Sequence, residues 1–321
     1  MNFKIREANT EGYSNINILR IEIKNYLGLD TSGTPPRYEV IDEIECDGYI
    51  RILIHYAGSE GDTIPAYLLI PKGEGPFPAV LIHHQHNGER HLGKSEVCGL
   101  VGNPLQAFGV ALAQKGFVVL APDSICFEDR RKNTKGTVQD QNDSDQHYNE
   151  MCYRILKGSS LMKKVIDDAN IAIELLKSHS LVDKSRIGVL GHSYGGNTAI
   201  FQAALNEDIA FACSSGAACT YESKIERGTG IEMAEVIPGF SGKYDIQDLV
   251  KCIAPRRVLL VSASEDKYSM DADEIEKDAR GAFEALGVSE HLEHKRYIGG
   301  HSLTEERFEY IVSWINSWGY L

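Results

Sequence analysis

The chain has 321 residues, 42% of them hydrophobic and 25% charged, an ordinary globular composition, and at this length a large core forms without disulfide or metal staples. A formal net charge of −13 opposes a phosphate backbone and argues against general nucleic-acid binding. The seven cysteines, at 46, 98, 126, 152, 213, 219 and 252, are odd in number and lack a CxxC pair, which fits reduced thiols in a cytoplasmic protein rather than a disulfide framework. Cys126 and Cys213, at apolar strand ends, read as small core fillers. No stretch approaches ~18 uninterrupted apolar residues, so no membrane span is expected. The start MNFKIREANTEGY lacks the apolar region and cleavage site of a secretory leader.

Taken in chain order, residues 16–27 form a helix that stops at Gly28. Residues 38–45, 50–56 and 63–70 then read as strands with turn residues between them, an antiparallel edge built by an N-terminal extension over 1–70. From Pro78 the rhythm changes to strand, helix, strand. The strands are short, solidly apolar runs at 79–82, 117–121, 186–190, 210–214 and 257–262, with a last one near 295–298, as expected for strands covered by helices on both faces.

The intervening helices have recognisable ends. Asn103-Pro104 opens one that runs to 115 and stops at Gly116. Residues 161–177 carry one apolar face, 271–286 end at Gly287, and Ser302-Leu-Thr-Glu305 reads as the capping box of a final helix reaching about Trp318. The alternation predicts a single α/β domain with a doubly wound, mostly parallel sheet. Two segments break it, the polar stretch 127–159 and the connection 221–248. Both follow strand C-terminal ends, where open α/β sheets bind ligands, and both are candidates for a lid or for pocket walls.

The chemistry centres on Gly191-His-Ser193-Tyr-Gly195-Gly196. A GxSxG pattern alone is weak, but here a strand runs directly into it and the good helix former 197–205 follows, the arrangement of a nucleophile elbow. Small residues are required at 191 and 195, where the strained turn brings backbone close on both sides. A serine at neutral pH needs a base, and the base needs an acid to fix its tautomer, in the chain order Ser, Asp or Glu, His. Asp266, just past the strand 257–262, is the expected acid, with its neighbour Glu265 as the alternative. His301, between the last strand and the final helix, is the expected base; His291 and His294 compete but precede that strand.

A tetrahedral intermediate needs two N–H donors. One is expected from Tyr194 and the other from the loop His83-His84-Gln85-His86-Asn87-Gly88, with Gln85 favoured and His86 next. The histidines of that loop invite a metal reading. On extended chain, however, 83, 84 and 86 point to opposite sides and no carboxylate or cysteine completes a set, so no metal is expected and His84 and His86 are assigned to pocket lining. Arg130, beside Arg131, is a candidate for a substrate carboxylate, with salt bridging to Glu128 or Asp129 as the competing reading.

GHSYGG, the acid in SASED, the terminal GGH and the block Ala121-Pro122-Asp123 through Phe127-Glu-Asp-Arg-Arg131 resemble the dienelactone-hydrolase and acetyl-xylan-esterase-like branch of the α/β-hydrolases, over roughly residues 64–318. The resemblance implies cofactor-free cleavage of a small-molecule ester by Ser193, Asp266 and His301. HHQHNG stands where that branch usually has HG or HGG, and serine stands where the dienelactone hydrolases use cysteine, so a dienelactone substrate is not implied. SYGG also resembles prolyl-oligopeptidase-type peptidases, whose large propeller has no counterpart in the 70 residues before the core. The expected activity is carboxylic ester hydrolysis, with acyl transfer or amide cleavage by the same triad as alternatives and a non-enzymatic binder as the remaining one.

Overall fold

The computed structural model describes residues 2–30 and 36–319. Nine strands form one sheet: β1 (Tyr38–Glu45), β2 (Tyr49–Ala57), β3 (Thr63–Pro71), β4 (Phe77–His83), β5 (Val118–Pro122), β6 (Val182–His192), β7 (Phe211–Ser215), β8 (Arg257–Ala263) and β9 (Leu292–Tyr297). Their spatial order is β1-β2-β3-β5-β4-β6-β7-β8-β9. The first three strands pair antiparallel, β3 meets β5 antiparallel, and every later neighbour is parallel. The helices are α1 (Asn2–Leu27), α2 (Lys94–Val97), α3 (Phe108–Ala113), α4 (Asp143–Leu156), α5 (Leu161–Ser178), α6 (Tyr194–Leu205), α7 (Tyr221–Glu226), α8 (Ile246–Ile253), α9 (Ala272–Ala285) and α10 (Glu305–Gly319).

Successive side chains on a strand point to opposite faces, and here both faces are dry. Ala79 and Leu81 of β4 join a core with α1, α5, α6, α8 and α9, while Val80 and Ile82 join a second core with α3 and α10. This explains the unalternating apolar runs of the central strands. The doubly wound sheet with its antiparallel edge is the predicted architecture.

Several boundaries differ. The last strand begins at Leu292 rather than near 295; it lies at the sheet edge, so its Glu293, Lys295 and Arg296 reach solvent and hide the apolar signature. Asn103 caps only a 3-10 turn, Pro104–Gln106, before α3 starts at Phe108. The final helix begins at Glu305, with Thr304 Oγ1 accepting from Arg307 N–H, so Ser302 is not its cap. Ser302 instead belongs to the loop that carries His301, which the buried guanidinium of Arg307 fastens through the carbonyls of Ile298, Gly300 and Ser302. The segment 127–159 contains α4, and 221–248 contains α7 and the start of α8, whose capping box joins Asp245 and Asp248.

Candidate active site

Strand β6 runs straight into α6, and Ser193 sits at the junction with φ +56° and ψ −124°, a conformation that L residues adopt only under constraint. The glycines around it explain how the turn is accommodated. A Cβ on Gly191 would lie 2.0 Å from the Gly195 carbonyl oxygen, and one on Gly195 would lie 2.0 Å from that of His83. Backbone on both sides leaves no room for any side chain at either position. The Ser193 N–H is held by the Ser215 carbonyl at 2.8 Å, which ties the elbow to β7.

Ser193 Oγ lies 2.8 Å from His301 Nε2, and His301 Nδ1 lies 2.9 Å from Asp266 Oδ1. Asp266 is 1% exposed. Burial alone raises its pKa, but the bonds from His301, from the Ser269 hydroxyl and from the Tyr268 N–H outweigh burial and hold the carboxyl below the usual aspartate range. An ionised Asp266 accepts from Nδ1–H, which leaves Nε2 free to accept the serine proton. Glu265, the alternative acid, is exposed. His291 bonds the Pro255 carbonyl and His294 the Ser262 hydroxyl, so neither approaches the elbow. His192 lies with its ring 5.0 Å from that of His301; burial drives its pKa down to about 3, so it stays neutral beside His301.

Tyr194 opens α6, so its backbone N–H has no partner within the helix. Its phenol is buried and bonded to Ser124 Oγ at 2.7 Å. The Gln85 side-chain amide contacts both carboxylate oxygens of Glu96, and among the described residues no protein acceptor takes its backbone N–H.

A cavity of about 290 Å³ opens at Ser193, and its lining includes His301, His86, Arg90, Glu232 and Tyr268. His86 is therefore at the pocket, but two other residues assigned to it are not. His84 is buried, donating Nδ1–H to the Gln85 carbonyl and accepting from the Ser124 N–H; both ring nitrogens are spent on fixing the loop. Arg130 is committed to Asp62 and to Asp168, the latter at 2.8 Å. Both residues line a separate small cavity of about 30 Å³ behind Tyr194. The carboxylates that hold Arg130 are thus neither Glu128 nor Asp129, which bond Lys94 instead.

The histidine loop also behaves differently from expectation. His83 bonds Gln202 and His84 turns inward, while His86 meets His147 from α4 and Glu232 from the 221–248 connection. One imidazole nitrogen of each histidine and a Glu232 carboxylate oxygen all lie within 4.8 Å of one another. A carboxylate does complete a set, supplied from far along the chain. Burial pushes the Glu232 carboxyl up to about 7. His147, Arg90 and Glu232 escaped the sequence reading because nothing in local periodicity relates residues 57 or more apart.

The acetyl xylan esterase (AXE1) family model matches residues 43–236, a span that holds the elbow and the cavity residues His86, Arg90 and Glu232. The chain belongs to the acetyl xylan esterase family. It is a carboxylic ester hydrolase of the α/β-hydrolase superfamily. The esterase is 28% identical over 290 residues to YtaP, a candidate hydrolase of Bacillus subtilis (strain 168), covering 87% of this chain and 90% of that one. Esterase EstD of Thermotoga maritima is 27% identical over 206 residues, 60% of this chain and 41% of EstD. A candidate acetyl xylan esterase from Bacteroides fragilis NCTC 9343 superposes with a TM-score of 0.74 at 16% identity, over 90% of this chain and 76% of that one, a likeness of fold. Among the described residues, no helix of the esterase is long and apolar enough to cross a membrane.

Proposed function

We propose that the esterase works as a serine hydrolase, with Ser193 as nucleophile, His301 as base and Asp266 as the acid that orients it. The observation that carries this reading is the unbroken line of hydrogen bonds from Asp266 through His301 to Ser193, at 2.9 and 2.8 Å. His301 Nε2 takes the Ser193 proton as Oγ attacks the ester carbonyl. The N–H groups of Tyr194 and Gln85 hold the oxyanion. His301 then protonates the leaving alcohol, and a water deprotonated by the same nitrogen releases the acid. The ionised, buried Asp266 stabilises the imidazolium in each half-reaction.

The two long connections serve as fixed pocket walls in this reading. Arg131, fully buried, ties 127–159 together through Asp143 at 2.6 Å and the carbonyls of Gly136 and Val138 at 2.7 and 2.9 Å. Lys224 and Glu235 form a buried pair at 2.8 Å that closes 221–248 on itself. Contacts of this kind are costly to break one side at a time, which favours a wall over a lid.

The test is turnover of a p-nitrophenyl ester series by the wild type and Ser193→Ala, with mass spectrometry of the protein after exposure to a fluorophosphonate. We expect turnover in the wild type, its loss in Ser193→Ala, and a covalent adduct on the peptide containing Ser193. An adduct elsewhere, or turnover that survives Ser193→Ala, overturns the assignment.

A further inference from the structure

The wall of the cavity beside Ser193 holds polar groups that the ester-cleaving line does not use. Arg90 is 4% exposed, yet among the described residues no carboxylate lies within ion-pair distance of it. Its Nε donates to His147 Nδ1 at 3.0 Å, one Nη contacts Ser144 Oγ at 3.2 Å, and the other faces only the Met233 sulfur at 4.0 Å. A buried guanidinium in this condition is unusual, because buried charges are normally paired. Lys224, a second cation on the wall, is different: Glu235 takes it with both oxygens at 2.8 Å.

The hydrogen bonds around the two imidazoles fix their protons. His147 Nδ1 accepts from Arg90, and His86 Nδ1 accepts from the Gly88 N–H at 2.9 Å. Each neutral ring therefore carries its proton on Nε2. Both Nε2 atoms are buried with no hydrogen-bond partner. Burial keeps both rings neutral, lowering His86 to about 3 and His147 well below the histidine range. His86, Arg90 and Glu232 line the cavity and His147 lies buried against Arg90, so the corner holds two imidazole N–H groups and a partly spent guanidinium, with Glu232 as the carboxyl among them.

Two histidines and a carboxylate are also the composition of a divalent-metal site. The protons argue otherwise. A metal-bound imidazole gives its lone pair to the metal and donates from the other nitrogen to a carboxylate or carbonyl, whereas here the other nitrogens accept. The Arg90 charge beside the cluster opposes a dication as well.

Resting on the reading of Ser193 as the site of ester cleavage, we propose that the corner formed by His86, Arg90 and Glu232, backed by His147, binds a carboxylate carried by the ester substrate, separate from the carbonyl under attack. An acceptor-rich anion supplies what the unsatisfied donors lack, and bidentate carboxylate recognition is the geometry a guanidinium favours. Glu232 faces the same corner, and burial raises its carboxyl to about 7, which lowers the cost of its taking up a proton when an anion binds beside it.

Two substrate pairs test this and separate the two sides of the ester. Mono-p-nitrophenyl glutarate against p-nitrophenyl valerate places the charge on the acyl side; 4-acetoxybenzoate against phenyl acetate places it on the alcohol side. In at least one pair the charged member should have the higher kcat/KM, by about tenfold, and Arg90→Gln should lower that ratio by about tenfold or more, as expected for a hydrogen bond to a charged group. Arg90→Lys should recover part of it. A merely structural role for Arg90 would lower both members alike, and an unmoved ratio in both pairs overturns the proposal.

A binding measurement keeps the two readings apart. By calorimetry, Ser193→Ala should bind glutarate at least about tenfold more tightly than glutaramide, its uncharged isostere, and His147→Phe in that background should narrow the gap. Equal affinities overturn the carboxylate site while leaving the nucleophile assignment intact; ester turnover that persists in Ser193→Ala does the reverse. Glutarate binding that requires added Zn²⁺ and is abolished by EDTA overturns the proposal in favour of a metal centre.

Discussion

Phe127 and Glu128 are adjacent in the chain but face two contrasting groups of buried polar residues. On the Glu128 side, Lys94 is bonded to Asp123 at 2.9 Å, Glu128 at 2.5 Å and Asp129 at 2.6 Å, and its neighbour Ser95 completes the Glu128 carboxylate. Arg130 and Lys164 share Asp62 and Asp168 in the same saturated manner. On the other side, the Phe127 ring packs on His86 and His147, at centroid distances of 5.9 and 5.3 Å. There Arg90 lacks a carboxylate and two imidazole N–H groups lack acceptors. Saturation marks the first group as scaffold, since a fully paired buried network has nothing left to offer a ligand. Incomplete pairing marks the second as the place where a ligand completes the network.

The comparison separates chemistry from stability, and the largest effect should come from the catalytic line. Asp266→Asn preserves size but donates where the carboxylate accepts, which favours the wrong His301 tautomer. We expect kcat to fall by ~10³–10⁴, with far smaller changes in KM, as for triad acids elsewhere. Steady-state kinetics on a p-nitrophenyl ester provide the check; a loss below about tenfold would remove Asp266 from its role.

Next in size is the scaffold. Lys94→Met leaves Asp123, Glu128 and Asp129 facing one another without their cation. Breaking a buried ionic cluster from one side costs about 3–5 kcal/mol, so urea denaturation should show a large drop in midpoint. The equivalent truncation in the unsaturated group, Arg90→Met, should cost clearly less, because Arg90 holds no buried carboxylate in place. Equal losses would erase the distinction.

How much of this was legible follows from what is local. The elbow at Ser193 could be read because its strand, its glycines and its helix are contiguous, and Asp266 and His301 because topology fixes their order along the chain. The central strands were legible from their apolar runs, whereas β9 was displaced because an edge strand keeps a polar side. The partners of Arg130 could not be read: Asp62 and Asp168 come from a turn before β3 and from α5, and nearby Glu128 and Asp129 offered a closer but mistaken choice. The Arg90 corner was invisible for the same reason, since His147, on α4, and Glu232 arrive from two separate segments far apart in the chain.

Buried histidines and buried carboxyls respond to pH in opposite directions. His83 and His84 are lowered to about 4, His86 and His192 to about 3, and His147 well below 6.5, all chiefly by burial. A folded pKa below the unfolded one means that protonation favours the unfolded chain, so this contribution is complete above about pH 6.5 and is lost as pH falls. Each such histidine costs about 1.4 kcal/mol per pH unit. Asp123 and Glu232, raised to about 7 chiefly by burial, work the other way between the unfolded carboxylate range and 7 and offset about two of the five histidines. The histidines outnumber the carboxyls, so the balance is a net loss of stability as pH falls below about 6.5. Tm measured from pH 7.5 to 5 should hold and then fall steeply; a Tm that is flat or rises toward pH 5 contradicts the neutral burial of these rings.

The smallest effect belongs to an ion pair that looks as well made as any in the scaffold. Arg154 of α4 meets Glu60 with two bonds, at 2.7 and 2.9 Å. Bidentate geometry alone would suggest a strong contact, but the Glu60 side chain is 54% exposed. Water solvates both partners when the pair opens, so it lacks the penalty that makes Lys94 costly to remove. The bonds from Arg154 hold Glu60 below the usual glutamate range despite its partial burial, which is a statement about its charge and not about a large stabilisation. Glu60→Gln should therefore shift the urea midpoint by no more than the equivalent of ~0.5–1 kcal/mol, and 0.5 M salt should remove most of that difference. A loss comparable to that of Lys94→Met would mean that hydrogen-bond geometry, rather than burial, decides which charges hold this insertion in place.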